Sequence, residues 1–256
     1  MLMNRVSDIR AKLIQKYKNQ EFVIDKTGVK TIELIGESFI IDEDWIIRPP
    51  NYEYIEREIQ WYESKSLYVE DIPGQTPVIW KQVADKNGKI NSNYGYLIWS
   101  EENGRQYDHV LNELKKNPNS RRAVMIYNRP TMHSDYCKDG MSDFVCTYAN
   151  NFLIRDDKLV SHYLMRSNCA VHGFGNDVAW AKYVQKTLAK DLDVDIGDLI
   201  WTASSLHVYS HHFKFLEKLY RDSIGDTSYD INNDKQWEKS WDTYINSLTK
   251  NRENGT

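Results

Sequence analysis

Residues 143–167 read DFVCTYANNFLIRDDKLVSHYLMRS. Two runs rich in β-branched and aromatic residues flank an Arg-Asp-Asp-Lys tetrad, the pattern of two strands joined by a turn. Upstream, RRAVMIYNR (121–129) reads as another strand, preceded by a helix in QYDHVLNELKKNPNS that Asn-Pro ends. Downstream, GNDVAWAKYVQKTLAKDL (175–192) repeats apolar residues at helical spacing through Val178, Trp180, Ala181, Tyr183, Val184 and Leu188. DLIWTASSLHVYSHH (198–212) follows as a strand, then KFLEKLYRD as a helix. Nearer the start, residues 4–20 and 51–65 read as helices, and EFVIDKTGVKTIELIG (21–36) as a hairpin turning at DKTG. Residues 67–100, rich in Pro, Gly and Asn, read as a long irregular region of functional character. Helices and strands mix without a βαβα rhythm, which predicts an α+β fold around one mixed or antiparallel sheet.

The bulk composition narrows the function classes. A net charge of −4 gives no global basic field for nucleic-acid binding, though a local cationic pocket remains open. The 256 residues suffice for one large domain, and no repeat or low-complexity linker divides them. The polar stretch from about residue 226 reads as a loosely packed helix or a mobile tail. The start is a charged amphipathic helix without a signal-peptide core, and no apolar run is long enough to span a membrane. Three scattered cysteines, Cys137, Cys146 and Cys169, argue for reduced thiols rather than a disulfide framework or structural zinc. His211-His212 lacks any metal-ligand pattern, so no metal is expected.

Several residues could carry chemistry. Cys146 in FVCTY is either a small buried apolar residue or a nucleophile, and a thiolate needs a nearby cation. Arg121, Arg122 and Arg166 are the available guanidinium groups. Arg166 with Ser167 would cradle a phosphate, because a forked donor and a hydroxyl match phosphate oxygens. His207 and Tyr209 share one strand face and could grip a sugar hydroxyl. Gly173-Phe174-Gly175 is not a dinucleotide fingerprint, since its spacing is wrong.

In order, DKTG, EIQW, IW…NSNYG, NPNSRR, Cys146, RSN…G…ND and LHVYS resemble the thymidylate synthase family across roughly residues 20–215. DKTGVKTIELIG and KDGMSDFVCT are closest to its phage deoxycytidylate hydroxymethylase branch. The resemblance implies that family's fold, a mixed sheet packed with helices, with one sheet face forming a homodimer interface. It implies a single domain over 1–256 and a location in the cytoplasm of an infected bacterium. It also implies dCMP as substrate, 5,10-methylenetetrahydrofolate as cofactor and other phage nucleotide-synthesis enzymes as partners. Cys146 would add to C6 of the pyrimidine and give C5 carbanion character. Arg166, Ser167 and Asn168 would hold the nucleotide, with Arg121 and Arg122 reaching the phosphate from the second subunit. Lys26 would stand in for a phosphate-gripping arginine, keeping the charge and losing the fork. His207 and Tyr209 would bind the 3′-hydroxyl, Glu58 would organise waters and protons, and Tyr94 would assist Cys146. Trp80, Cys169 and Gly173 would face the folate.

One residue reads the base and another breaks the pattern. Thymidylate synthases carry Asn where this chain has Asp177. A carboxyl group suits cytosine, accepting from the 4-amino group or donating to N3, so dCMP is expected over dUMP. Cys169 stands where the family has an Asp against the pterin, and His172 and Gly175 replace an expected Phe and Arg. Two chemistries stay open on this reading. One is water capture of a C5 methylene, giving 5-hydroxymethyl-dCMP. The other is folate-independent C5 hydroxylation to 5-hydroxy-dCMP. A non-catalytic nucleotide-binding subunit and a dUMP methylase are further alternatives.

Overall fold

The computed structural model describes residues 3–233. Asn4–Arg5 (β1) lead directly into Val6–Lys18 (α1), so the first helix starts two residues later than its pattern suggests. Asn4 and Arg5 are taken by Phe39 and Ile40 of a strand, and the Arg5 N–H donates to Asp8 as the helix opens. The hairpin is present as Val23–Ile24 (β2) and Lys30–Ile40 (β3). Its DKTG turn is fixed by Asp25 Oδ1, which accepts from Thr27 N–H, Thr27 Oγ and Val29 N–H. Tyr52–Ser64 (α2) is capped by Asn51 Oδ1 and buries Ile55, Glu58, Trp61 and Tyr62.

The stretch 67–100 is less irregular than its composition suggests: it holds Val78–Val83 (α3) and Tyr94–Trp99 (α4). Each is only six residues, too short for a periodic signal, and local geometry starts them at Pro77 and at the Asn93 cap. Gly95 lets α4 press onto α2, since a Cβ there would lie 1.8 Å from the Tyr62 carbonyl.

Gln106–Lys116 (α5) leads to Val124–Ile126 (β4), shorter than the strand expected over 121–129, and Met132–Asp135 forms α6. Thr147–Arg155 (β5) and Lys158–Met165 (β6) pair antiparallel through a turn with Asp156 and Asp157 at positive φ. Then come Asn168–Cys169 (β7), Gly173–Leu192 (α7), Asp195–Tyr209 (β8) and Phe213–Ser223 (α8). Residues 226–233 carry no helix, and the rest of the polar C-terminal stretch lies outside the described residues.

The sheet runs β1-β3-β8-β6-β5-β4 and is mixed: β8 lies parallel to β6 and antiparallel to β3. Met125, Asn150, Tyr163, Trp201 and Phe39 are paired in one row across it, and all five are buried. The next row, Ile126, Ala149, Leu164, Thr202 and Ser38, points the other way, and none of it is buried. Helices α1 and α7 cover the first face, and the second face is left uncovered by the described chain.

A kink crosses the sheet at one level. Gly36 sits at φ 69, and the pairing of β5 slips between Thr147 and Ala149. Across this level burial changes parity, from Phe39 and Trp201 to Leu34 and Leu206. Cys146, Arg166, Asn168 and His207 all lie on or just beyond this level.

Candidate active site

Cys146 ends the approach to β5, beside the start of the β6–β7 connection. Arg166 is tied there three times: its N–H to Cys146 O at 2.8 Å, Nε to Val145 O at 3.1 Å and Nη2 to Phe144 O at 2.6 Å. Nη2 also lies 3.5 Å from Cys146 Sγ, and the guanidinium stacks over Phe144. Of the three arginines raised by the sequence, this one reaches the thiol. Burial still wins in the free protein and pushes the thiol up to about 11, with Arg166 opposing and Asp177 and Asp143 adding to the rise.

Asp177, on the first turns of α7, is pushed up to about 8, mainly by burial and next by the Glu58 charge. Its Oδ2 accepts from Asn168 Nδ2 at 2.7 Å, and Tyr94 also hydrogen-bonds it. A neutral Asp177 removes one of the charges that oppose a thiolate at Cys146. Tyr94 stacks on Tyr62 at 5.3 Å and also bonds Thr147, next to the cysteine. Its phenol is held neutral by burial.

Glu58 is buried on α2 and its carboxyl is pushed up to about 7 by desolvation, against hydrogen bonds from Tyr54 and Trp80. Tyr54 Oη lies 2.6 Å and Trp80 Nε1 3.4 Å from Glu58 Oε1. Tyr54 is a site residue that the sequence reading missed. Its signal was the four-residue spacing to Glu58 on one helix face. Asp143 was missed as well: it is buried and bonded to the N–H groups of Asn91 and Ser92 and to Ser92 Oγ.

The remaining residues divide. Asn168 is buried, its amide oxygen taken by Trp201 Nε1 at 3.2 Å. Ser167 follows Arg166 directly between β6 and β7. His207 is pushed down to about 4 by burial; its ring lies 4.7 Å from that of Tyr209 and Nδ1 meets Ser205 Oγ, itself bonded to Glu33. Lys26 is exposed on the DKTG turn. Arg121 and Arg122 are exposed and do not reach this chain's Cys146, and Arg122 is paired with Glu113. By the β4–β5 register Arg122 falls level with Leu153, seven strand positions from Cys146, roughly 23 Å.

On the expected cofactor side, Trp80 is half-buried and edge-on to Trp61. Cys169 is held neutral by burial, although backbone N–H groups of His172, Val171 and Gly173 reach its sulfur. A Cβ on Gly173 would make ordinary contacts with Asp177, Asn168 and Cys169. A Cβ on Gly175 would lie 2.8 Å from Pro50 Cβ, so this packing has no room for an arginine. His172 lies 4.6 Å from the His212 ring.

The thymidylate synthase family model matches residues 11–249. Deoxycytidylate 5-hydroxymethyltransferase of Enterobacteria phage T4 is 54% identical over 223 residues, covering 84% of this chain and 91% of the relative. The phage T2 protein of that name is 55% identical over 219 residues, covering 83% and 89%. Thermostable thymidylate synthase A from Bacillus subtilis shares the fold at a TM-score of 0.65 and 21% identity, over 84% of this chain and 83% of that one. Among the described residues no helix is long and apolar enough to cross a membrane.

Proposed function

This chain belongs to the thymidylate synthase family, and from that premise we propose that it transfers a hydroxymethyl group to C5 of dCMP. The observation that carries the choice of base is Asp177, raised to about 8 and gripped by Asn168. Protonated Oδ2, which also accepts from Asn168, donates to N3 of cytosine, while Oδ1 accepts from the 4-amino group. Uracil, with a proton on N3, meets it donor against donor.

Cys146 Sγ adds to C6 once its proton has left, and Arg166 Nη2 at 3.5 Å stabilises the thiolate. Arg166 Nη1 makes no hydrogen bond among the described residues, and its N–H groups face the 5′-phosphate together with Ser167 and Lys26. His207 and Tyr209 take the 3′-hydroxyl. Glu58, with a carboxyl near neutrality, accepts a proton from the water that completes the hydroxymethyl group.

The half-buried Trp80 ring beside Glu58 offers a flat wall that fits the pterin of 5,10-methylenetetrahydrofolate. That cofactor, when bound, supplies a one-carbon unit at the oxidation level of formaldehyde. Cys169 adds no charged acceptor for it. The relatives' shared name and high identity favour this chemistry over folate-independent hydroxylation.

The protein works as a single domain in a cytoplasmic homodimer. The uncovered sheet face would meet a second copy and bring Arg121 and Arg122 to the partner's phosphate site. Cys146→Ser separates an enzyme from a nucleotide-binding subunit. Binding of dCMP should persist while turnover disappears; turnover retained by Cys146→Ser would refute the covalent route.

A further inference from the structure

Three side chains on two helices form a chain of hydrogen bonds with only one possible direction. Trp80 Nε1 lies 2.7 Å from Tyr54 Oη, and Tyr54 Oη lies 2.6 Å from Glu58 Oε1. An indole nitrogen can only donate, so the Tyr54 oxygen must accept from it. A phenol has one proton, which is then committed to Glu58. The order is fixed as Trp80 to Tyr54 to Glu58.

Tyr54 cannot exchange that proton cheaply. Burial, reinforced by the Glu58 charge, holds its phenol far above the ordinary tyrosine range. Arg57 lies 5.5 Å from the Tyr54 ring and ties itself to the carbonyls of Pro73 and Gln75, which braces the ring from outside. Glu58 therefore always has one oxygen occupied as an acceptor. A proton it takes up is favoured on Oε2, because on Oε1 it would weaken or displace the Tyr54 hydrogen bond.

We propose that Tyr54 is the positioning residue that makes Glu58 a one-sided acid–base group, dedicating Oε1 to the Tyr54–Trp80 chain and leaving Oε2 alone to handle the reaction's protons. The assignment rests on the reading of Glu58 as the proton-handling carboxyl, and it explains why a buried acid keeps a fixed orientation without a cationic partner among the described residues. Groups facing Glu58 are Tyr54 and Tyr62 on its own helix, Trp80 on α3 and Asp177 on α7. Of these, only Tyr54 and Trp80 hydrogen-bond it.

The test is a pH titration of the Glu58 carboxyl by difference infrared spectroscopy, its C=O band assigned by loss in Glu58→Gln. Removing the donor in Tyr54→Phe disfavours the carboxylate. Its midpoint should move up by at least half a pH unit, about a threefold change in the protonation equilibrium. The acidic limb of the kcat/KM profile should move with it, while KM for dCMP stays within about twofold. Trp80→Phe, which frees the Tyr54 hydroxyl to turn, should move the midpoint in the same direction by less. An unmoved midpoint in a folded Tyr54→Phe, or in Trp80→Phe if Tyr54→Phe does not fold, overturns the assignment. The infrared midpoint is read without turnover. A wild type that titrates as expected and leaves dCMP unmodified therefore sinks the functional reading and spares this one.

Discussion

Asn168 donates its side-chain amide to Asp177 Oδ2 at 2.7 Å, and the direction of that bond is fixed. Trp201, a donor only, holds the Asn168 oxygen from the other side. Asp177 Oδ2 is thus always an acceptor toward Asn168. An asparagine at 177 would have to turn its oxygen to Asn168 and its NH2 to the base. That NH2 opposes the 4-amino group of cytosine and suits O4 of uracil. Asp177→Asn should lower kcat/KM for dCMP by at least ~10²-fold and bring dUMP into measurable turnover. Steady-state kinetics on both nucleotides checks it, and an unchanged preference for dCMP would remove Asp177 as the base reader.

The same pair shows what the sequence could convey. Asp177 was legible because one position along a familiar motif order differed in hydrogen-bonding type. Trp201, which donates to the Asn168 oxygen, lies 33 residues from it along the chain, a contact that no local pattern encodes. The hairpins and the long helix α7 were legible from turn residues and apolar period. The six-residue helices α3 and α4 were not, because they are set by caps and by the fit of Gly95 against Tyr62. Arg121 and Arg122 are exposed, and the register explains why they cannot serve their own chain's cysteine.

Burial of Glu58 carries a signature in stability. Its folded value, about 7, lies above the ordinary 4.5, because desolvation disfavours the charged form. Between those values the unfolded chain has lost the proton and the folded chain keeps it. Rising pH across that window therefore destabilises the wild type. Buried histidines such as His207 act in the opposite sense below their ordinary value, and they cancel between variant and parent. Glu58→Gln should gain on the wild type by up to ~1.4 kcal/mol per pH unit between pH 4.5 and 7. Urea melts at pH 5, 6 and 7 read this; a constant difference would place Glu58 in a solvated setting.

The proposed sharing of sites across a dimer gives a counting test. Arg121→Ala and Cys146→Ser should each be nearly inactive alone, because each breaks every site. Mixed and allowed to exchange subunits, random pairing makes half the dimers hybrid, each with one intact site. Activity should recover to about a quarter of wild type. No recovery after demonstrated subunit exchange would place Arg121 outside the partner's site.

The most direct measurement is the mass of the nucleotide product. Purified protein is incubated with dCMP, with and without 5,10-methylenetetrahydrofolate, and the nucleotide is weighed by mass spectrometry. The expected result is a gain of one CH2O unit that requires the folate and vanishes in Cys146→Ser. A gain of a single oxygen atom without folate would contradict the account and make the Cys169 side of the site the mark of a different C5 chemistry.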